Sequence, residues 1–354
     1  MIRVKEKIRY DVNVHREKNK LILLNARRGI TFDENDDKND TFTIQDVHNI
    51  ALEIKKKKTI TRNHLKLLKH AFLNGQEFIL EFFRVQGAFD SLLHYTSSND
   101  DALQLAAFEC FCNMSLGDNK TCIKLAKLIT PYLMVHINSL NFNISSISIW
   151  TLGNISDSSE TACVLLQNQN FFEALVNCLK NSTCDEVIQN TFYALKLMLK
   201  TYISQLKIEI LNDLLQTCLE RSKTWKESFW IIYQISCRQD FALHDDHLMR
   251  HLLNSIHSDD ELVDIKFLIP ILRTFGNIIA LDQSNNSANT FLFALKSQGP
   301  IIRHILIQNK SINLSNECAW LLGNVFNSLH INNFNDNNVI NADYFEEVCS
   351  YFFV

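Results

Sequence analysis

The chain has 354 residues, 46% of them hydrophobic, with only 8 Gly and 3 Pro, and a formal net charge of −4. So few helix breakers among so many Leu, Ile and Phe point to an all-helical protein with a large core. Ten Cys without a Cys-x-x-Cys pair argue against a disulfide framework, and no long unbroken apolar run offers a membrane span.

Met1 to Arg9 is charged throughout, unlike a secretory signal, so a soluble intracellular protein is expected. Residues 1–30 read as a basic arm with helical potential from about Asp11 to Arg28. Residues 1–28 hold nine Lys/Arg against three acids, a local charge of +6 that leaves −10 for the remainder. A basic arm on an acidic body either recruits an acidic partner or folds back on its own body. Residues 31–42, with Asp33-Glu-Asn-Asp-Asp-Lys-Asn-Asp40, read as an acidic flexible linker. From Thr43 helical periodicity begins, and residues 43–354 read as one helical array. Lys55-Lys-Lys-Lys58 interrupts it as a solvated helix end.

From Leu65 onward each unit repeats one layout: a short helix, a turn, a second helix, and a longer third helix. The turns are Val85-Gln-Gly-Ala88, Ile129-Thr-Pro-Tyr132, Asn168-Gln-Asn170 and Ser297-Gln-Gly-Pro300. Gly closing one helix and Pro opening the next is the usual asymmetry of helix ends. Units fall at 45–75, 76–117, 118–159, 160–200, 201–240, 241–285 and 286–330. The tail from Ile331 supplies the first two helices of an eighth. Its Tyr344, Phe345, Val348, Tyr351, Phe352 and Phe353 put apolar groups on more than one side of the last helix, an end that needs covering. Folding back onto the seventh unit would cover it, as would self-association.

Each third helix carries a recurring pair. Trp150 and Asn154 stand one turn apart on one face, and Trp320 with Asn324 repeats them. Partial copies are Glu109 with Asn113, Tyr193 with Leu197, Trp230 with Gln234, and Arg273 with Asn277. From Asn113 the pair's second member recurs after 41, 43, 37, 43 and 47 residues. A period near 40 with three helices per unit predicts a right-handed armadillo-repeat superhelix, an α-solenoid of about seven repeats plus a partial eighth behind the basic arm.

An indole can stack on a cationic side chain, and a carboxamide can bond a passing peptide backbone. The same four residues could instead be core residues of repeated helices. A polar Asn at a fixed repeat position favours the groove, because a buried amide needs partners that a bound peptide would supply. For Glu109, Tyr193 and Gln234 the two readings stand level.

His244-Asp-Asp-His247 and Cys110-Phe-Cys112 lack a second half at ligand spacing, so no metal or other cofactor is expected. With no phosphate loop, nucleophile elbow or His-Glu-x-x-His, no enzyme is expected. An acidic body without basic residues interleaved by aromatics makes nucleic acid an unlikely ligand.

The irregular order of these repeats resembles the importin-α family. Arg16-Glu-Lys-Asn-Lys-Leu-Ile-Leu-Leu-Asn-Ala-Arg-Arg28 is similar to that family's importin-β-binding segment, with Arg16, Lys18 and Lys20 at its start and Leu24, Arg27 and Arg28 at its end. Pro270 to Asn277, with Arg273 in place of Trp, resembles the sixth repeat, and Trp230 with Gln234 the fifth. The loss of other pairs more closely resembles the divergent importin-α-like branch called transmembrane and coiled-coil domain-containing protein 6. The resemblance implies an adaptor of cytoplasm and nucleus. It would hold basic nuclear-localisation peptides in a concave groove and bind importin-β through the arm, with no part for nucleic acid or membrane. The alternative is an armadillo scaffold that reads a different partner.

Overall fold

A computed structural model describes residues 42–56, 60–241, 246–256, 265–282, 287–291 and 312–333; all but residues 42 and 43 belong to the unit Ile44–Val354. The arm with Arg16, Lys18, Lys20, Leu24, Arg27 and Arg28, the acidic linker up to residue 41, the turn at 297–300, His244 and the apolar C-terminal tail lie outside the described residues.

Helix α1 (Ile44–Lys55) shows how the periodic sequence folds. Val47, Ile50, Ala51 and Ile54 recur at three- and four-residue steps and are all buried. Helix α2 (Arg62–Asn74) starts at Thr61, whose hydroxyl accepts from the His64 amide, and it buries Leu65, Leu68, Ala71 and Phe72. Three full units follow. The second is α3 (Gln76–Arg84), α4 (Ala88–His94) and α5 (Asp101–Met114). The third is α6 (Asn119–Leu128), α7 (Thr130–His136) and α8 (Phe142–Ser158). The fourth is α9 (Glu160–Gln167), α10 (Phe171–Asn181) and α11 (Asp185–Tyr202).

The turn between first and second helix is built differently each time. Gly87 takes a left-handed φ of 87° before α4, Pro131 sits in the first turn of α7, and Asn170 takes φ 58° before α10. Asn is the non-glycine residue best suited to that region. Of the later units, the described residues show the following. The fifth opens with a 3-10 turn, Ile203–Gln205, before α12 (Ile208–Arg221) and α13 (Ser228–Ser236). The sixth shows α14 (Asp246–Ile256) and α15 (Ile265–Leu281), and the seventh shows residues 287–291 and α16 (Ile312–Asn333).

The long helices α2, α5, α8, α11, α13, α15 and α16 form one layer, each packed on its predecessor in chain order. No strand occurs among the described residues. Helix α8 lies between α5 and α11 and is buried on most sides, polar residues included. Three of its buried hydroxyls bond to carbonyls: Ser145 to Ile137 at 2.5 Å, Thr151 to Ile147 at 2.7 Å, and Ser156 to Gly153 at 2.7 Å. Gly153 lets α11 come close, since a Cβ there would sit 3.0 Å from that of Ala194. Repetition of such three-helix units, each packed mainly on its neighbours, is the α-solenoid architecture.

Candidate functional site

The recurring polar position holds the long helices together. Asn113 Nδ2 donates to the Lys69 carbonyl at 2.8 Å, Gln234 Nε2 to that of Lys196 at 2.9 Å, and Asn324 Nδ2 to that of Gly276 at 3.2 Å. Asn154 and Asn277 reach back to hydroxyls instead, Ser115 Oγ at 3.1 Å and Ser236 Oγ at 2.9 Å. Ser115 and Ser236 each follow a ladder residue by two positions. The amide ladder therefore runs from each of the second, third, fifth, sixth and seventh units to the one before it, and is broken at the fourth.

Trp150 and Asn154 are closed into this contact. Trp150 is 7% exposed, and its ring meets Tyr193 edge to face with centroids 6.4 Å apart. Tyr193 Oη donates to Asn154 Oδ1 at 2.8 Å, while Asn154 Nδ2 bonds Ser115. Tyr193 thus supplies the partner that the sequence reading assigned to a bound peptide. Leu197, at the next ladder position, is buried.

Glu109, one turn before Asn113, is bonded to Lys69 Nζ at 2.9 Å. Farther along the layer, two rings stand between two cations. Lys196 Nζ lies 5.0 Å from the centroid of the Trp230 ring, Trp230 meets Tyr233 edge to face at 6.1 Å, and the Arg273 guanidinium lies 5.5 Å above Tyr233. Arg273 also binds Glu317 at 2.5 Å, and that contact holds its guanidinium above the ordinary arginine range. Burial raises the Tyr233 phenol, and desolvation lowers the Lys196 ammonium.

At α16 the indole is open. Trp320 is 43% exposed, and its benzo edge lies over Gly276, where a Cβ would come within 2.1 Å of the ring. Asn324 stands one turn on, so Trp320/Asn324 keeps an accessible ring beside its carboxamide. Trp225 lies between α12 and α13, half-buried against Phe192 at 6.4 Å, outside the recurrent position.

Sequence reasoning missed Lys196, Tyr233, Glu317 and the accepting serines. One signal was available for the charges. Lys69 with Glu109, Asp157 with Lys200, and Arg273 with Glu317 are opposite charges about one repeat apart, and each is an ion pair. Among the described residues no cluster of three or more metal-ligating side chains occurs, and no helix is long and apolar enough to cross a membrane. The buried Cys110 thiol donates to the Leu65 carbonyl at 3.3 Å, and burial raises its pKa.

No family model matches the chain. A stretch of 245 residues, 64% of the chain, is 24% identical to importin subunit alpha-9 of Arabidopsis thaliana and covers 45% of that protein. The match thus spans less than half the length of that relative. The crystal structure of an engineered protein superposes with a TM-score of 0.61 at 15% identity, covering 79% of this chain and 68% of the other. A designed armadillo repeat protein in complex with the peptide (KR)4 superposes at 0.52 with 14% identity, covering 66% and 99%. The fold is an armadillo-repeat solenoid. The sequence similarity to an importin α is weak, and nothing in these matches supports the narrower branch named from the sequence.

Proposed function

We propose that this chain is an importin-α-like adaptor that holds an extended basic peptide on the face of its third helices. The observation that carries the proposal is Trp320/Asn324, an open indole one turn from a carboxamide. The similarity to importin subunit alpha-9 and the designed fold relative in complex with (KR)4 support it. The arm would recruit importin-β through Leu24, Arg27 and Arg28, and the protein would pass between cytoplasm and nucleus. It acts by binding, not by catalysis.

A Lys or Arg stacked on Trp320 would contribute about 0.5–2 kcal/mol. Trp320→Ala should therefore weaken a labelled (KR)4 peptide about two- to thirtyfold, read by fluorescence anisotropy. Removing residues 1–30 should abolish importin-β binding and leave the peptide affinity intact. The second reading, a scaffold for another partner, is favoured by the closure of Trp150 and Asn154 beneath Tyr193. Equal affinity for (KR)4 and a neutral extended peptide would establish the scaffold and overturn the adaptor.

A further inference from the structure

The cations on this layer are not equivalent. Lys69, Lys200 and Arg273 each have a carboxylate oxygen within 3.1 Å, from Glu109, Asp157 and Glu317. Lys196 has none among the described residues; its ammonium rests over the Trp230 ring, and only desolvation shifts its titration. The residue as a whole is nevertheless exposed, so an anion can reach it. Beside it, Gln234 binds the Lys196 carbonyl through Nε2, while Gln234 Oε1 is buried with no hydrogen-bond partner. A desolvated cation and an unmet acceptor call for a ligand with both an anion and an N–H. An acidic residue in an extended peptide has both.

The rings of Trp230 and Tyr233 are also occupied by the chain's own cations, Lys196 and Arg273. A basic side chain arriving there would meet like charge where a ring face was expected.

We propose that Lys196, seated over Trp230 at the junction of the fourth and fifth units, receives the acidic side chain of a peptide whose basic residues lie toward Trp320. This rests on the peptide-binding reading and narrows it. The preferred ligand has mixed charge, with an acidic stretch beside the basic cluster. The carboxylate pairs with Lys196 Nζ, and a backbone N–H of the same peptide answers Gln234 Oε1 once the ammonium is drawn off the indole.

The test uses the full chain and two labelled peptides with Lys/Arg clusters on either side of a centre that is Glu-Asp-Glu in one, the acidic peptide, and Gln-Asn-Gln in the other, the neutral-centre peptide. At low salt the acidic peptide should bind at least about fivefold more tightly. Lys196→Gln should remove that preference and leave the neutral-centre peptide unchanged, and Lys196→Arg should restore it. Lys196 is exposed, and unchanged thermal melts of the variants would verify folding. A preference that persists in K196Q, or never exists in the wild type, overturns this inference while binding of the neutral-centre peptide sustains the adaptor reading. If neither peptide binds, both fall. A third arm adds inorganic phosphate at the peptide's concentration. No displacement is expected, and displacement of the acidic peptide would mark a free-anion site and overturn the peptide assignment.

Discussion

Asn154 uses both ends of its carboxamide within the chain, donating to Ser115 and accepting from Tyr193. Tyr193→Phe should leave the Oδ1 of a buried side chain without its donor, a loss of about 1–3 kcal/mol in stability measured by urea unfolding. Trp150→Ala opens a cavity at a ring only 7% exposed and should cost about 3–5 kcal/mol. Trp320→Ala, at a ring 43% exposed, should change stability far less than it changes peptide affinity. A Trp150 variant as stable as the wild type would return that residue to the groove. Spacing alone put Trp150 and Asn154 on one helix face. It did not show which side of the layer they would meet, because the deciding contact is a tyrosine 39 residues away whose rotamer is set by packing between units.

At the scale of elements, the sequence was most legible where punctuation is strong. Gly87, Pro131 and Asn170 each mark a turn between the first and second helices of a unit. It was least legible at the fifth unit, where Ile203–Gln205 forms only a 3-10 turn in place of a first helix. No side-chain cap opens that segment, and no residue in it is buried, so little packing is available to extend it. The close approaches between third helices were also hidden, because a glycine reveals its neighbour only in three dimensions. Gly276 is the seat of Trp320, and a methyl there would come within 2.1 Å of the ring. Gly276→Ala should displace the indole, shift tryptophan emission and lower (KR)4 affinity as Trp320→Ala does. An unchanged spectrum with unchanged affinity would mean that the ring does not rest there.

For the whole molecule, the ladder of amides and ion pairs joins each unit to the next, so its stability depends on groups spread along the chain. Three of the described histidines make that stability sensitive to mild acid. His136 lies edge-on to Phe108 at 5.1 Å, His251 Nε2 is 2.8 Å from Ser222 Oγ, and His70 lies on α2; burial lowers all three imidazoles from the ordinary 6.5. Each is therefore easier to protonate in the unfolded chain than in the folded one. Their contribution is complete above about pH 6.5 and declines as the pH falls through that value toward the depressed one. Carboxylates such as Glu81 and Asp100, held low by their hydrogen bonds, begin to lose their contribution only as the pH falls through their ordinary values of 4.5 and 3.8. The loss between pH 7.5 and 5.5 thus belongs to imidazoles. The melting midpoint should drop by about 2–4 °C over that interval for each ~1 kcal/mol lost. The double variant His136→Phe, His251→Gln should reduce the drop and leave the part that belongs to His70, since neither replacement titrates and Gln can keep a hydrogen bond to Ser222. A midpoint that rises on acidification, or a drop of the same size in the double variant, would place the sensitivity elsewhere.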